Sequence, residues 1–220
     1  LNGDGKISKG ASTWEDHGDL KILGDSNPHY FYGIDLTASY KGFDFRCFLQ
    51  GVLKHDFWPG ESSYFWGVRG GYSKWYTIGL EQHNDYFRDQ PIGLEGYELP
   101  VNLDSYYPRP ITSANSNGNT FGSKNQQTQS RYMQNAGYMR LKNLQLGYSL
   151  PKSVLDKVGI ANCRVFVSGE NLLTFTSLSS IFDPETCVGG WGGNAYPLSS
   201  TWSFGLSAVS YTHLTLPTSD

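Results

Sequence analysis

The sequence has no stretch of eighteen consecutive apolar residues, so it offers no candidate for a membrane-spanning helix. Its formal net charge is only −3, which removes the electrostatic reason to expect a nucleic-acid partner. The three cysteines stand far apart without a Cys-x-x-Cys pair, so neither a zinc site nor a disulfide framework is expected. The five histidines lack metal-ligand spacing, and no Ser-His-Asp set or carboxylate pair has a recognisable local context. We therefore expect a protein that is not an enzyme.

Aromatic residues and glycine are abundant instead. Aromatic side chains make up 15 % of the chain, and there are 26 glycines. This composition is typical of transmembrane β-barrel strands, which have a polar lumen face and aromatic girdles at their ends. A secreted β-sandwich that binds sugars through aromatic rings has a similar composition, so composition alone leaves both fold classes open.

Alternation of apolar and polar residues is the main local signal. In "YGIDLTASYKGFDFRCFLQG" it predicts two strands joined by a tight Lys41-Gly42 turn. Leu141 falls out of phase with the residues after it, which predicts a bulge near Lys142. "KSVLDKVG" predicts one or two helical turns. The five predicted strands cover about 30–40, 43–52, 136–150, 163–175 and a stretch from 200 onwards.

The connections between these strands are sorted by length. The first and third are about two and twelve residues long, whereas the second and fourth are about eighty and twenty-four. In an antiparallel up-and-down sheet the short turns then share one end and the long loops the other, as in outer-membrane barrels. Strands of about ten residues also match a tilted bilayer crossing. We therefore predict an all-β transmembrane barrel segment with long extracellular loops, in which lipid contacts Leu36, Leu49, Val165 and Phe204.

Several motifs occur in the order expected for one family. "YMRLKNLQLGYSLP", "VFVSGENLLTFT", "FDPE" and "STWSFGLS" resemble the C-terminal end of the SusC/RagA family of TonB-linked (TonB-dependent) outer-membrane transporters. "LNGDGKIS", "ILGDSNPHYFYGIDLTASYKGFDF" and "YYPRP" are similar to the same family, so the resemblance covers residues 1–208.

The resemblance implies a plugged barrel of about 22 strands, to which this chain supplies roughly the last five. It implies import of oligosaccharides or peptides across the outer membrane of a Gram-negative cell. A SusD-like surface lipoprotein would act as the lid, and the TonB system would supply energy through a part of the receptor outside this sequence. The imported solute is not identified by these motifs.

Two other functions compete with this interpretation. One is a secreted, calcium-dependent glycan-binding β-sandwich module. The other is a secreted glycoside hydrolase with an unrecognised carboxylate pair. The sorted loop lengths and the ordered motifs favour the transporter over both.

A calcium site is one candidate feature of the chain. "LNGDGKIS" looks like an EF-hand-type loop that lacks its first Asp, since alternate oxygen side chains precede a glycine. The candidate ligands for Ca2+ are Asn2, Asp4, Lys6 and, further downstream, Asp16. A plain Asx turn is the alternative explanation of the same residues.

A solute path is the second candidate feature. Asp35 and Arg46 lie on the polar phase of their strands and could line a lumen, or could belong to a charged network that ties its wall together. Four loop tryptophans could stack on sugar rings in the vestibule, or could pack the loops: Trp58, Trp66, Trp75 and Trp191.

The last twelve residues, 209–220, read "VSYTHLTLPTSD" and resemble the translation of a transposon adapter used in sequencing libraries. The apolar phase of the last strand continues at Ser210, and Tyr211 falls one residue out of register. We therefore interpret 209–220 as non-native read-through, to be excluded from fold reasoning, and expect residues beyond about 211 to be unpaired.

Overall fold

The computed structural model describes residues 5, 8–59, 64, 80–109, 128–189 and 195–210. The chain divides into two compact units. Unit 1 contains residues 1–26 and 56–134, and unit 2 contains residues 27–55 and 135–220. Within the described ranges, no helix is both long and apolar enough to cross a membrane.

Unit 2 is built on a five-stranded antiparallel sheet. Its spatial order is β1-β2-β5-β6-β7, with β1 His29–Tyr40, β2 Phe43–Lys54, β5 Tyr138–Ser149, β6 Asn162–Thr176 and β7 Thr201–Val209. Two short strands, β3 Asp56–Phe57 and β4 Gln134–Asn135, form a separate ladder. Helical turns occur at Glu81–Asn84, at α1 Lys152–Leu155 and at Asp156–Val158, where Gly159 ends the last turn with φ 68°.

The five predicted strands and the helical turns after residue 151 are confirmed, with bounds that shift by one or two residues. Lys41 (φ 48°) and Gly42 (φ 88°) both adopt left-handed backbone. That is the geometry of a two-residue hairpin whose twist matches its strands. The adapter-like tail is mostly outside the described residues; Val209 still pairs with Asn162, so the strand runs one residue past the predicted boundary at 208.

The predicted bulge is confirmed as well. Phe48 pairs with Asn143, whereas the next residue, Leu49, pairs with Leu141, so Lys142 is the extra residue of β5. A second register shift lies beside it between β5 and β6, where Leu141 pairs with Leu173 and Asn143 pairs with Glu170. The bulge turns Leu141 onto the apolar face and leaves Arg140 on the polar face.

One face of the sheet is apolar and exposed. The register aligns Leu36 with Cys47 and then Leu144, and places Val167 opposite Phe204, so the apolar phases of all strands meet on one side. Leu36 is 52 % exposed and Phe204 is 83 % exposed. Apolar patches of this extent on folded proteins mark a contact with lipid or with another protein.

The sheet order also sorts the connections. Residues 41–42 and 150–161 join neighbouring antiparallel strands at one end of the sheet, and the two longer connections leave β2 and β6 at the opposite end. The predicted meander is therefore present in these five strands.

Unit 1 has an aromatic core that the sequence pattern did not predict. Tyr64, Tyr107 and Tyr132 are almost fully buried. The Tyr107 and Tyr132 rings stack at 6.2 Å, and the Tyr64 ring meets both edge-on. Burial raises the pKa of all three phenols, so they stay neutral and act as hydrogen-bonding groups.

Candidate functional site

The polar face of the five-stranded sheet carries a row of ion pairs. Arg46 on β2 and Asp35 on β1 form a bidentate pair, with Nη2 to Oδ2 at 2.7 Å and Nε to Oδ1 at 3.2 Å. Both side chains are about half exposed. The structure thus brings together the two charged residues that were proposed to line a solute path. Their contact with solute stays a prediction.

A second pair spans a whole strand. Arg164 on β6 reaches across β5 to Asp44 on β2, with Nε to Oδ1 at 2.9 Å and a further contact from Nη2 to Oδ2. This reach is possible because Gly147 lies between them: a Cβ at Gly147 would collide with both charged groups. The Arg164 guanidinium also lies 4.9 Å from the centre of the Phe166 ring. The pair ties three strands together on the polar face.

The third group of charges is buried and fastens the connection after β6. Arg140 on β5 donates to Thr174 Oγ1 at 2.7 Å and to Asp183 Oδ2 at 2.8 Å. Its Nη1 lies 2.8 Å from Glu185 Oε1, an ion pair without the angle of a hydrogen bond. Lys142, the bulge residue, donates to Glu185 at 3.0 Å. The side chains of Arg140 and Asp183 are only 4 % and 7 % exposed.

Asp183 is the centre of that group. Burial alone raises the pKa of its carboxyl. Hydrogen bonds from Arg140 and from the backbone N–H groups of Glu185 and Leu198 outweigh this effect, so the pKa lies below its usual value. The carboxylate therefore stays ionised at neutral pH and holds the loop against the polar face of the sheet.

The motifs "YMRLKNLQLGYSLP" and "FDPE" supply this group, but the alternation of apolar and polar residues does not predict that they pair. A signal was available. Arg140 is a cation on the polar phase of β5, and "FDPE" is an acidic motif in the connection that follows the next strand, β6. Their opposite charges predict that they pair.

Trp58 is the described member of the four candidate tryptophans. It is half-buried and lines a cavity of about 320 Å³ in unit 1, together with Asp56, Met133 and residues 20–24. Trp66, Trp75 and Trp191 lie outside the described residues. Sugar stacking at these tryptophans stays a prediction.

The candidate calcium ligands are only partly described. Asn2, Asp4 and Lys6 lie outside the described residues. The Asp16 carboxylate accepts a hydrogen bond from the backbone N–H of Ala11 at 2.9 Å, which is the role of an acidic side chain in a structured turn. Across the described ranges, no three His, Cys, Asp or Glu side chains converge as metal ligands would. The calcium site formed by Asn2, Asp4, Lys6 and Asp16 stays a prediction.

Two curated proteins of Formosa agariphila are similar to this chain. TonB-dependent receptor P3 is 32 % identical over 185 residues, which is 84 % of this chain and 15 % of that protein. TonB-dependent receptor P26 is 25 % identical over 219 residues, which is 94 % of this chain and 19 % of that protein. The chain thus spans less than a fifth of the length of either relative. No family model matches the sequence.

Solved structures agree with the fold. The RagAB peptide importer in its "closed-closed" state matches with a TM-score of 0.57 at 23 % identity, over 86 % of this chain and 18 % of that one. The RagAB peptide transporter matches with the same TM-score at 24 % identity, over 86 % of this chain and 18 % of that one. The chain matches two TonB-dependent receptors in sequence and shares its fold with RagAB. It therefore belongs to the TonB-dependent receptors.

Proposed function

We propose that this chain forms part of the barrel wall of a TonB-dependent importer in the outer membrane of a Gram-negative cell. The whole receptor would take up oligosaccharides or peptides, use a SusD-like surface lipoprotein as its partner, and draw energy from the TonB system. The chain would contribute strands β1, β2, β5, β6 and β7, and its residues 55–137 and 177–200 would face the outside of the cell.

The observation that carries the proposal is the division of the sheet into two faces. Leu36, Val165 and Phe204 are exposed on the apolar face. The polar face bears the ion pairs of Arg46 and Arg164. A barrel strand needs this division because one face meets hydrocarbon and the other a water-filled lumen.

The relatives support the same function. The sequence relatives are named TonB-dependent receptors, and the structural neighbour RagAB is a peptide importer. Peptides are thus one candidate solute for this receptor, and oligosaccharides are the other. A β-sandwich would cover the apolar face with a second sheet, whereas Leu36, Val165 and Phe204 on that face are exposed.

The test uses the full-length receptor in its source bacterium. Deletion of the receptor gene should abolish uptake of one solute class, measured with labelled oligosaccharides and labelled peptides, and the intact gene should restore it. Removal of TonB should have the same effect. Uptake of both classes at the wild-type rate in the deletion strain would contradict the proposal.

A further inference from the structure

Unit 1 contains an open cleft of about 370 Å³ that none of the features above uses. Its walls are largely apolar and aromatic, with Phe87, Leu103, Tyr106 and Pro108 among them. Arg109 and Arg131 also line it, and both are exposed. A cleft that combines apolar walls with a few charged groups is the common form of a small-ligand site.

The backbone around this cleft is well anchored. Phe87 N–H donates to Tyr107 C=O at 3.0 Å, and Tyr107 N–H donates to Asp85 C=O at 2.9 Å. Beneath them, the Tyr132 hydroxyl donates to Tyr106 C=O at 3.2 Å. The cleft therefore rests on the buried tyrosine core of unit 1, which limits the cost of ordering it when a ligand binds.

The two arginines differ in their partners. Arg109 pairs with Asp89 at 2.7 Å and lies over the Phe87 ring, so its charge is already balanced. Arg131 is held by backbone carbonyls, with Nε to Tyr106 C=O at 3.0 Å and Nη2 to Ser105 C=O. Within the described part of the chain no carboxylate pairs with Arg131. The guanidinium also lies 5.8 Å from the centre of the Tyr106 ring, so it is fixed in place at the cleft.

We propose that this cleft is a subsite for a carboxylate group of the imported solute, bound by Arg131, with the neighbouring part of the solute packed against Phe87 and Pro108. An arginine suits this task because its planar N–H donors match the geometry of a carboxylate. The carboxylate could belong to the uronic acid of an acidic oligosaccharide or to the C-terminus of a peptide. This inference rests on the proposed function, since it names the chemistry of the imported solute.

The test measures binding to the purified full-length receptor by calorimetry, with two matched pairs of probes. One pair is tetragalacturonic acid and its fully methyl-esterified form, and the other is a pentapeptide with a free or an amidated C-terminus. We expect one of the acidic probes to bind at least tenfold more tightly than its neutral counterpart, which identifies the source of the carboxylate. Equal binding within both pairs overturns the inference.

Variants then assign the effect to Arg131. Arg131→Gln should remove the preference for the acidic probe over its neutral counterpart, whereas Arg131→Lys should restore part of that preference. Lys152→Gln, on the α1 turn of unit 2, is the control for loss of one positive charge. A preference that survives in Arg131→Gln, or that disappears equally in Lys152→Gln, overturns the assignment.

The experiments distinguish failure of the carboxylate subsite from failure of the proposed function. If Arg131→Gln does not fold, the wild-type preference and its weakening by added salt still decide whether a carboxylate is bound. If the receptor imports solute but shows no acidic preference, this inference fails and the proposed function stands. If deletion of the receptor leaves uptake of both solute classes unchanged, the proposed function fails.

Discussion

Arg140 is the buried cation on which the connection after β6 depends. Its replacement by Met would remove the cation that pairs with both Asp183 and Glu185, while Lys142 would still pair with Glu185. Breaking a buried ion pair by removing one partner typically costs about 3–5 kcal/mol. We expect Arg140→Met to lower the free energy of unfolding of the full-length receptor by about that amount, measured by urea titration in lipid vesicles.

Arg46→Met is the matched control on the same polar face. Its pair with Asp35 is about half exposed, and such pairs contribute about 0–1 kcal/mol. An effect of Arg140→Met no larger than that of Arg46→Met would show that the buried group does not hold the loop.

The pH dependence of the same group follows from Asp183. Its folded-state pKa lies below the usual value of about 3.9, so the unfolded chain binds the proton more readily. The stabilisation is therefore complete above about pH 4 and is lost as the pH falls through the lower folded-state pKa.

Asp183→Asn provides the measurement. We expect the variant to have a lower thermal unfolding midpoint than the wild type at pH 7, and the difference to shrink as the pH falls below about 4. A difference that stays constant from pH 7 down to pH 2.5 would mean that the Asp183 carboxylate contributes nothing through its charge.

At the scale of the strand, β7 separates the two faces of the sheet most simply. Phe204 is 83 % exposed on the apolar face, and its neighbour Ser203 pairs with Ser168 on the polar face. If the apolar face meets lipid, Phe204→Arg should cost about 2–4 kcal/mol near the bilayer midplane, and Ser203→Arg should cost far less. Urea titration of the full-length receptor in lipid vesicles measures both, and equal costs would contradict the assignment of the faces.

Strands were predictable from this sequence because their signal is local. Alternation with a period of two located β1, β2, β5, β6 and β7, and the phase change at Leu141 located the bulge at Lys142. The pairing of Arg164 with Asp44 was not predictable in the same way. It depends on the register of three strands and on the missing side chain of Gly147.

The structure of unit 1 was even less predictable from the sequence than the pairing of Arg164 with Asp44. The sequence between 53 and 132 has no sustained periodicity, because its core is built from side chains brought together over long stretches of chain. Tyr64 and Tyr132, for example, lie 68 positions apart and meet edge-on at 6.5 Å.

At the scale of the whole receptor, the sorted connections predict an orientation in the membrane. Residues 177–200 should face the outside of the cell, and residues 150–161 should face the periplasm, because outer-membrane barrels have long outer loops and short periplasmic turns.

In a full-length receptor whose native cysteines are replaced by Ser, Val188→Cys and Lys157→Cys place one thiol at each end of the sheet. Both positions are exposed, so burial does not separate them. A membrane-impermeant maleimide should label position 188 in intact cells, and position 157 only after the outer membrane is permeabilised. Labelling of position 157 but not 188 in intact cells would contradict the predicted orientation.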